Sequence, residues 1–69
     1  LPYVNIRVTR EQDPITAEQK AALIKGVTDL LVEVIKRGPK TTVVVIDEVE
    51  TDNYGIGGET VTRIRSHWI

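Results

Sequence analysis

The stretch from Thr41 to Val49, Thr-Thr-Val-Val-Val-Ile-Asp-Glu-Val, constrains this chain more than any other, because it is β-branched almost throughout and apolar on both faces of an extended strand. Such a run fits a parallel strand that is covered on each side. A parallel neighbour has to be reached through a crossover, and both pieces lie upstream. Tyr3, Asn5 and Arg7 alternate with Val4, Ile6 and Val8 in a first strand opening near Leu1, the period-two pattern of a strand with one buried face. Thr9 to Ile15 is a polar loop in which Asp13-Pro14 excludes helix. Thr16 then precedes Ala17-Glu18-Gln19, and Thr-x-x-Gln is a capping box, in which the hydroxyl and the amide side chain satisfy each other's orphan backbone donors. Leu23, Ile24, Val27, Leu30, Leu31, Val34 and Ile35 follow at three- and four-residue spacings and predict a helix from Ala17 to about Arg37, roughly 30 Å long. Gly38-Pro39 stops it, with Lys36 and Arg37 at the negative end of the dipole.

Strand, crossover helix and strand make a right-handed βαβ unit. One helix covers one face of a two-stranded sheet. The other face, carrying either Val43 and Val45 or Val44 and Ile46, needs a second layer, and another subunit is the expected source. Size points the same way. A chain of 69 residues is one domain, and domains this small bury only about 60% of the surface their unfolded chain exposes. With no Cys and a single His, disulfides and metals are poorly supplied as supports, which leaves oligomerisation.

Nine Lys and Arg against ten Asp and Glu leave a formal net charge of −1, so no basic field draws nucleic acid or anionic lipid. The basic residues are scattered among acids rather than clustered with aromatics, which also argues against a nucleic-acid groove. No apolar run approaches the roughly 18 residues of a membrane span, and no signal-peptide pattern opens the chain. A cytoplasmic protein acting on a small polar molecule or a protein partner is the expectation.

After a polar turn at Glu50 to Asn53 come Tyr54-Gly55-Ile56-Gly57-Gly58-Glu59 and then Thr60 to Arg65, which reads as a minor strand. The expected domain spans residues 1–65, and Ser66 to Ile69 form a tail whose Trp68 and Ile69 either dock on a neighbour or are extraneous to the native chain. The three glycines carry backbone amides able to cradle a phosphate. A phosphate fingerprint needs a helix directly after the glycines, however, and the segment favours a tight hairpin-like turn with Ile56 packed inward. His67 lacks partners at ligand spacing, so no metal site is expected. Asp47 and Glu48 are adjacent on a strand and point to opposite faces, which rules them out as a catalytic carboxylate pair.

Pro2 has two readings. It is either a starter of an edge strand or, if residue 1 is absent from the working protein, a terminal secondary amine. With Leu1 in place the Pro2 nitrogen belongs to a tertiary amide whose lone pair is delocalised, and it takes up no proton at neutral pH.

The combination raises the second reading. A proline near the start of Pro-Tyr-Val-Asn-Ile, a capped helix opening Thr-Ala-Glu-Gln-Lys, an apolar strand ending Asp-Glu-Val and then Tyr-Gly-Ile-Gly-Gly-Glu resemble the 4-oxalocrotonate tautomerase family from Pro2 to Arg65. The resemblance implies a βαβ fold assembled as hexamers built from dimers, with neighbouring subunits contributing to each active site. It implies that Pro2, freed of the preceding residue, is a general base that moves a proton between carbons of an enol or dienol acid. A free α-amine titrates at about 8 and a secondary amine higher, but an apolar pocket and nearby arginines disfavour the charged form and bring that value toward neutrality. The resemblance further implies that Arg10 holds a substrate carboxylate, in a loop a few residues longer than the family's, and that Tyr54 walls the pocket. The family's second arginine is missing: Val43 stands in its place on the second strand, leaving Arg7, Arg63 or Arg65 of a neighbour to take over.

The resulting expectation is an α/β protein: a single βαβ unit with two parallel strands, one long crossover helix and a short C-terminal hairpin-like strand, assembled as a homohexamer (trimer of dimers). It interconverts keto and enol or dienol forms of a 2-oxo acid through Pro2, with Arg10 and Tyr54 binding substrate and without a cofactor. A silent scaffold or binding module with Leu1 retained, and an enzyme that uses Pro2 to activate water or to form an imine with a carbonyl substrate, are the competing readings.

Overall fold

A computed structural model describes residues 1–67. The expected strand–helix–strand order is present: β1 (Tyr3–Thr9), α1 (Ala17–Ile35) and β2 (Val43–Val49), with β1 and β2 parallel and in a register that sets Tyr3 against Val43 and Thr9 against Val49. A hairpin of β3 (Gly55–Ile56) and β4 (Glu59–Thr60) follows, then α2 (Val61–Ser66). Short 3-10 turns at Pro39–Thr41 and Thr51–Asn53 flank β2.

α1 starts where the capping box places it. The Gln19 backbone N–H donates to the Thr16 hydroxyl at 3.1 Å, and the Thr16 N–H donates to the Gln19 side-chain oxygen at 3.0 Å. Thr16→Ala removes half of this exchange and is expected to cost about 1 kcal/mol, read as a lowered urea midpoint at unchanged slope. The helix ends two residues earlier than its pattern predicts, because Lys36 turns left-handed (φ 57°) and its N–H closes on the Val32 carbonyl as a C-cap. β2 likewise starts two residues late: the hydroxyls of Thr41 and Thr42 both donate to the Gly38 carbonyl, at 3.2 and 3.1 Å, and hold that stretch in a turn.

The segment from Thr60 to Arg65 is the one element whose type differs from its sequence pattern as a strand. Only Glu59 and Thr60 pair, and α2 takes over at Val61. The Thr60 hydroxyl accepts from the Arg63 N–H at 3.1 Å as an N-cap. Val61 and Ile64, three residues apart, then share an inward face, a helical spacing that period two would have split. Gly57 and Gly58, at φ 62° and 90°, supply the left-handed backbone that turns the hairpin. Trp68 and Ile69 of the expected tail lie outside the described residues.

Glu48 identifies the covered sheet face. It pairs with Lys20 of α1 at 3.0 Å and accepts from the Ile15 N–H at 3.1 Å, so by alternation Val44 and Ile46 face the helix, along with Val4, Ile6 and Val8 through the parallel register. The opposite face carries Tyr3, Asn5, Arg7, Val43, Val45 and Asp47 and has no covering layer among the described residues.

The consequence shows in the dimensions. Val61, at 6% exposure, is the only apolar residue buried among the described residues. The chain exposes 5516 Å², where a monomer of its mass exposes about 4,300 Å². Its radius of gyration is 15.5 Å, against about 11 Å for a compact chain of this length. The helix stripe is also wider than the sheet beneath it: Val27 and Leu31 are half-buried, while Leu23, Leu30 and Val34 line an exposed flank. No described helix is long and apolar enough to cross a membrane.

Candidate active site

A cavity of about 350 Å³ lies at the C-terminal end of β1. β1 contributes Val8 and Thr9, the hairpin contributes Ile56, and α2 lays Val61 and Ile64 along one wall. Tyr54 completes the apolar lining. The Tyr54 carbonyl accepts from the Val61 N–H at 2.7 Å, which locks the residue to the first turn of α2 and fixes the wall. Arg7 and Arg65 bring charge to this lining.

Both arginines are held by carboxylates of the same chain. Arg65 grips Glu11 with two nitrogens, at 2.6 and 3.0 Å, the bidentate geometry of a strong charge-assisted pair. Glu11 also accepts from the Thr9 hydroxyl. Arg65 first and Thr9 second hold the Glu11 carboxyl down from its ordinary value of 4.5 to about 2, and the same pair raises Arg65. Arg7 reaches Asp47 across the bare sheet face at 3.2 Å, and Asn5 donates to the same Asp47 oxygen at 2.9 Å. The Asn5 bond and then the Arg7 bond keep Asp47 below the usual carboxylate range. On the helix face, Lys20 and then the Ile15 N–H do the same for Glu48.

The Glu11–Arg65 clip ties the loop after β1 to α2, and its pH dependence has a definite sign. A carboxyl depressed in the folded state contributes stability that is complete above the unfolded value near 4.5 and is lost as pH falls through about 2. Glu11→Gln is therefore expected to lower the urea midpoint at pH 7, with the difference from the parent shrinking below pH 4.5 and vanishing near pH 2. Equal differences at both pH values would show that the clip carries no linkage.

The residues singled out in the sequence do not all meet. Tyr54 lines the cavity. Arg10 directly follows Thr9 but is not itself in the lining; its N–H continues the ladder to the Val49 carbonyl at 2.7 Å, while its Nε stands 3.9 Å from Glu50. Both side chains of that pair are largely in solvent, 49% and 65% exposed, so Arg10 is only loosely engaged. Pro2 lies at the opposite end of β1, half-buried, with its carbonyl accepting from the Val43 N–H at 3.0 Å. Extended strand rise puts Pro2 and Arg10 of one chain about 26 Å apart. Sequence reasoning missed Glu11, Val61 and Ile64. The spacing of three between Val61 and Ile64, just after a Thr able to cap, was the available signal for the wall; the Glu11 clip had none.

No group of three or more His, Cys, Asp or Glu able to hold a metal is present among the described residues.

Comparison with known proteins agrees with this architecture. Residues 2–64 match the family model described as "Tautomerase enzyme". The chain is 63% identical over 65 residues to a protein described as probable tautomerase K2 of Dickeya dadantii, covering 94% of both chains. Among solved structures it resembles DmpI from Helicobacter pylori, at 46% identity and a TM-score of 0.85, covering 94% of this chain and 97% of that one. It also resembles YwhB, described as a homologue of 4-oxalocrotonate tautomerase, at 31% identity and a TM-score of 0.74, covering 88% and 95%.

Proposed function

We propose, from the premise that this chain belongs to the tautomerase family, among members described as 4-oxalocrotonate tautomerase homologues, that Pro2 is its proton-transferring base. Membership makes the chain an isomerase-type enzyme. The finer reading is that it interconverts the keto and the enol or dienol forms of a 2-oxo acid.

The supporting observation is the placement of Pro2. The family match begins at Pro2, and Leu1 ahead of it is 99% exposed, so no packing holds residue 1 to the fold. With residue 1 removed, the half-buried Pro2 presents a secondary amine beside the apolar start of β2. That amine takes a proton from one carbon or from the enol hydroxyl and returns it to another carbon of the substrate. Arg10 holds the C1 carboxylate and stabilises the negative charge that develops on the adjacent enol oxygen, and Tyr54 walls the apolar part of the substrate.

Because Pro2 and Arg10 of one chain stand so far apart, no single chain brings both to one small molecule. The reading thus calls for a site shared between subunits. The bare sheet face and the excess surface provide the area for such an assembly, for which a homohexamer, a trimer of dimers, is the proposed form.

The test is to establish the N-terminus by intact mass, then assay ketonisation of a 2-hydroxy-2,4-dienoate by the protein that begins at Pro2 and by the protein that retains Leu1. Turnover confined to the first supports the reading. Equal turnover by both removes the amine from the mechanism.

A further inference from the structure

We infer that the substrate of this site carries a single carboxylate, with an apolar chain in place of a second one. This rests on the reading of the site given above and specifies its substrate class.

The argument is an account of cations. A dicarboxylate needs two positive groups, one for each end, and neither β2 nor the apolar lining of Tyr54, Ile56, Val61 and Ile64 carries any. The cations that do line the cavity are Arg7 and Arg65. Each is already engaged by a carboxylate of its own chain: Arg7 by Asp47 at 3.2 Å, Arg65 by Glu11 at 2.6 and 3.0 Å. A second substrate carboxylate arriving at either would exchange one carboxylate for another. The displaced acid would be left charged beside the newcomer, because both Glu11 and Asp47 stay ionised at neutral pH.

The loosely held cations differ. Neither loosely held cation is itself in the lining: Arg10 directly follows the lining residue Thr9 and stands 3.9 Å from an exposed Glu50, whereas Arg63, 73% exposed and equally distant from Glu59, lies off the α2 face that carries Val61 and Ile64. That leaves Arg10 as the cation available to substrate in this part of the chain. Opposite a lone carboxylate, the remaining lining favours hydrocarbon.

Binding and turnover separate this inference from the proton-transfer reading. Calorimetric titration with 2-oxohexanoate and with 2-oxohexanedioate, on protein beginning at Pro2, is expected to favour the monoacid by about tenfold, the scale of one unfavourable charged contact. Ketonisation of the corresponding dienol monoacid and diacid should show the same order in kcat/KM. Glu11→Gln and, independently, Asp47→Asn release Arg65 and Arg7, and at least one of them should improve diacid binding relative to monoacid by about tenfold. A diacid preferred by the parent protein, or a ratio that neither variant moves, overturns the inference. Monoacid-selective binding without turnover of either dienol leaves it standing and overturns the proton-transfer reading instead.

Discussion

Protein that begins at Pro2 is expected to catalyse dienol ketonisation about 10²- to 10⁴-fold faster than the same protein with Leu1 retained, the usual contribution of a positioned general base. The comparison is demanding because the two molecules differ by one residue that is 99% exposed and packs on nothing. Stability and assembly should therefore be alike, and a difference in rate reports the amine alone. Pro2→Ala, made without residue 1, should fall between the two. It keeps a primary amine, but one whose torsion is no longer fixed by a ring, so kcat drops while KM changes little. The acid limb of kcat/KM against pH should follow the free amine and lie below the value of an unperturbed secondary amine, itself above the ordinary α-amine value of about 8, since desolvation and, in the proposed shared site, the Arg10 guanidinium of a second chain both disfavour its charged form. A profile without that limb, or full activity with Leu1 in place, would place the chemistry elsewhere.

The second large effect is expected from Val45→Glu. Val45 lies on the bare face of the sheet, opposite Asn5 and two residues from Asp47, at the centre of the surface assigned here to subunit contact. The chain exposes about 1,200 Å² more than a compact monomer of its mass, more than the roughly 800 Å² that each partner loses in an ordinary interface. A carboxylate placed in such an interface without a cationic partner is desolvated and unpaired, and weakening of assembly by about 10³-fold or more is expected. Sedimentation velocity should show small species where the parent shows an oligomer. Activity should be lost with assembly, since Pro2 and Arg10 then have no second chain to complement them. Ala22→Glu, the same charge on the exposed helix face away from the sheet, is the control and should sediment like the parent. If Val45→Glu assembles normally, the bare face is not where subunits meet.

Much of this architecture is legible in the chain itself. Thr16 and Gln19 announce the start of α1, and the structure forms both of their hydrogen bonds. The alternation from Tyr3 to Val8 and the unbroken apolar run of β2 identify two strands of different environment, which the parallel register then joins. These signals are local: a cap involves neighbours three residues apart, and a strand face repeats every second residue. The segment after Thr60 defeats a local reading for the same reason. Six residues with only Val61 and Ile64 apolar fit two periods poorly, and the Thr60 cap, together with burial of Val61, tips them into helix.

The βαβ order, the expectation of a second layer, and the candidate proline, arginine and tyrosine with Pro2 and Arg10 at opposite ends of the first strand could all be read from the chain. Which face of β2 is left bare and which arginines are already engaged came only from the packing. Arg7 meets Asp47 across 40 positions of sequence and Arg65 meets Glu11 across 54. Pairings at such separations leave no periodic trace in the chain. They exist because β1 and β2 lie side by side in one register and because α2 folds back over the end of β1, and both are properties of packing rather than of any local run of residues.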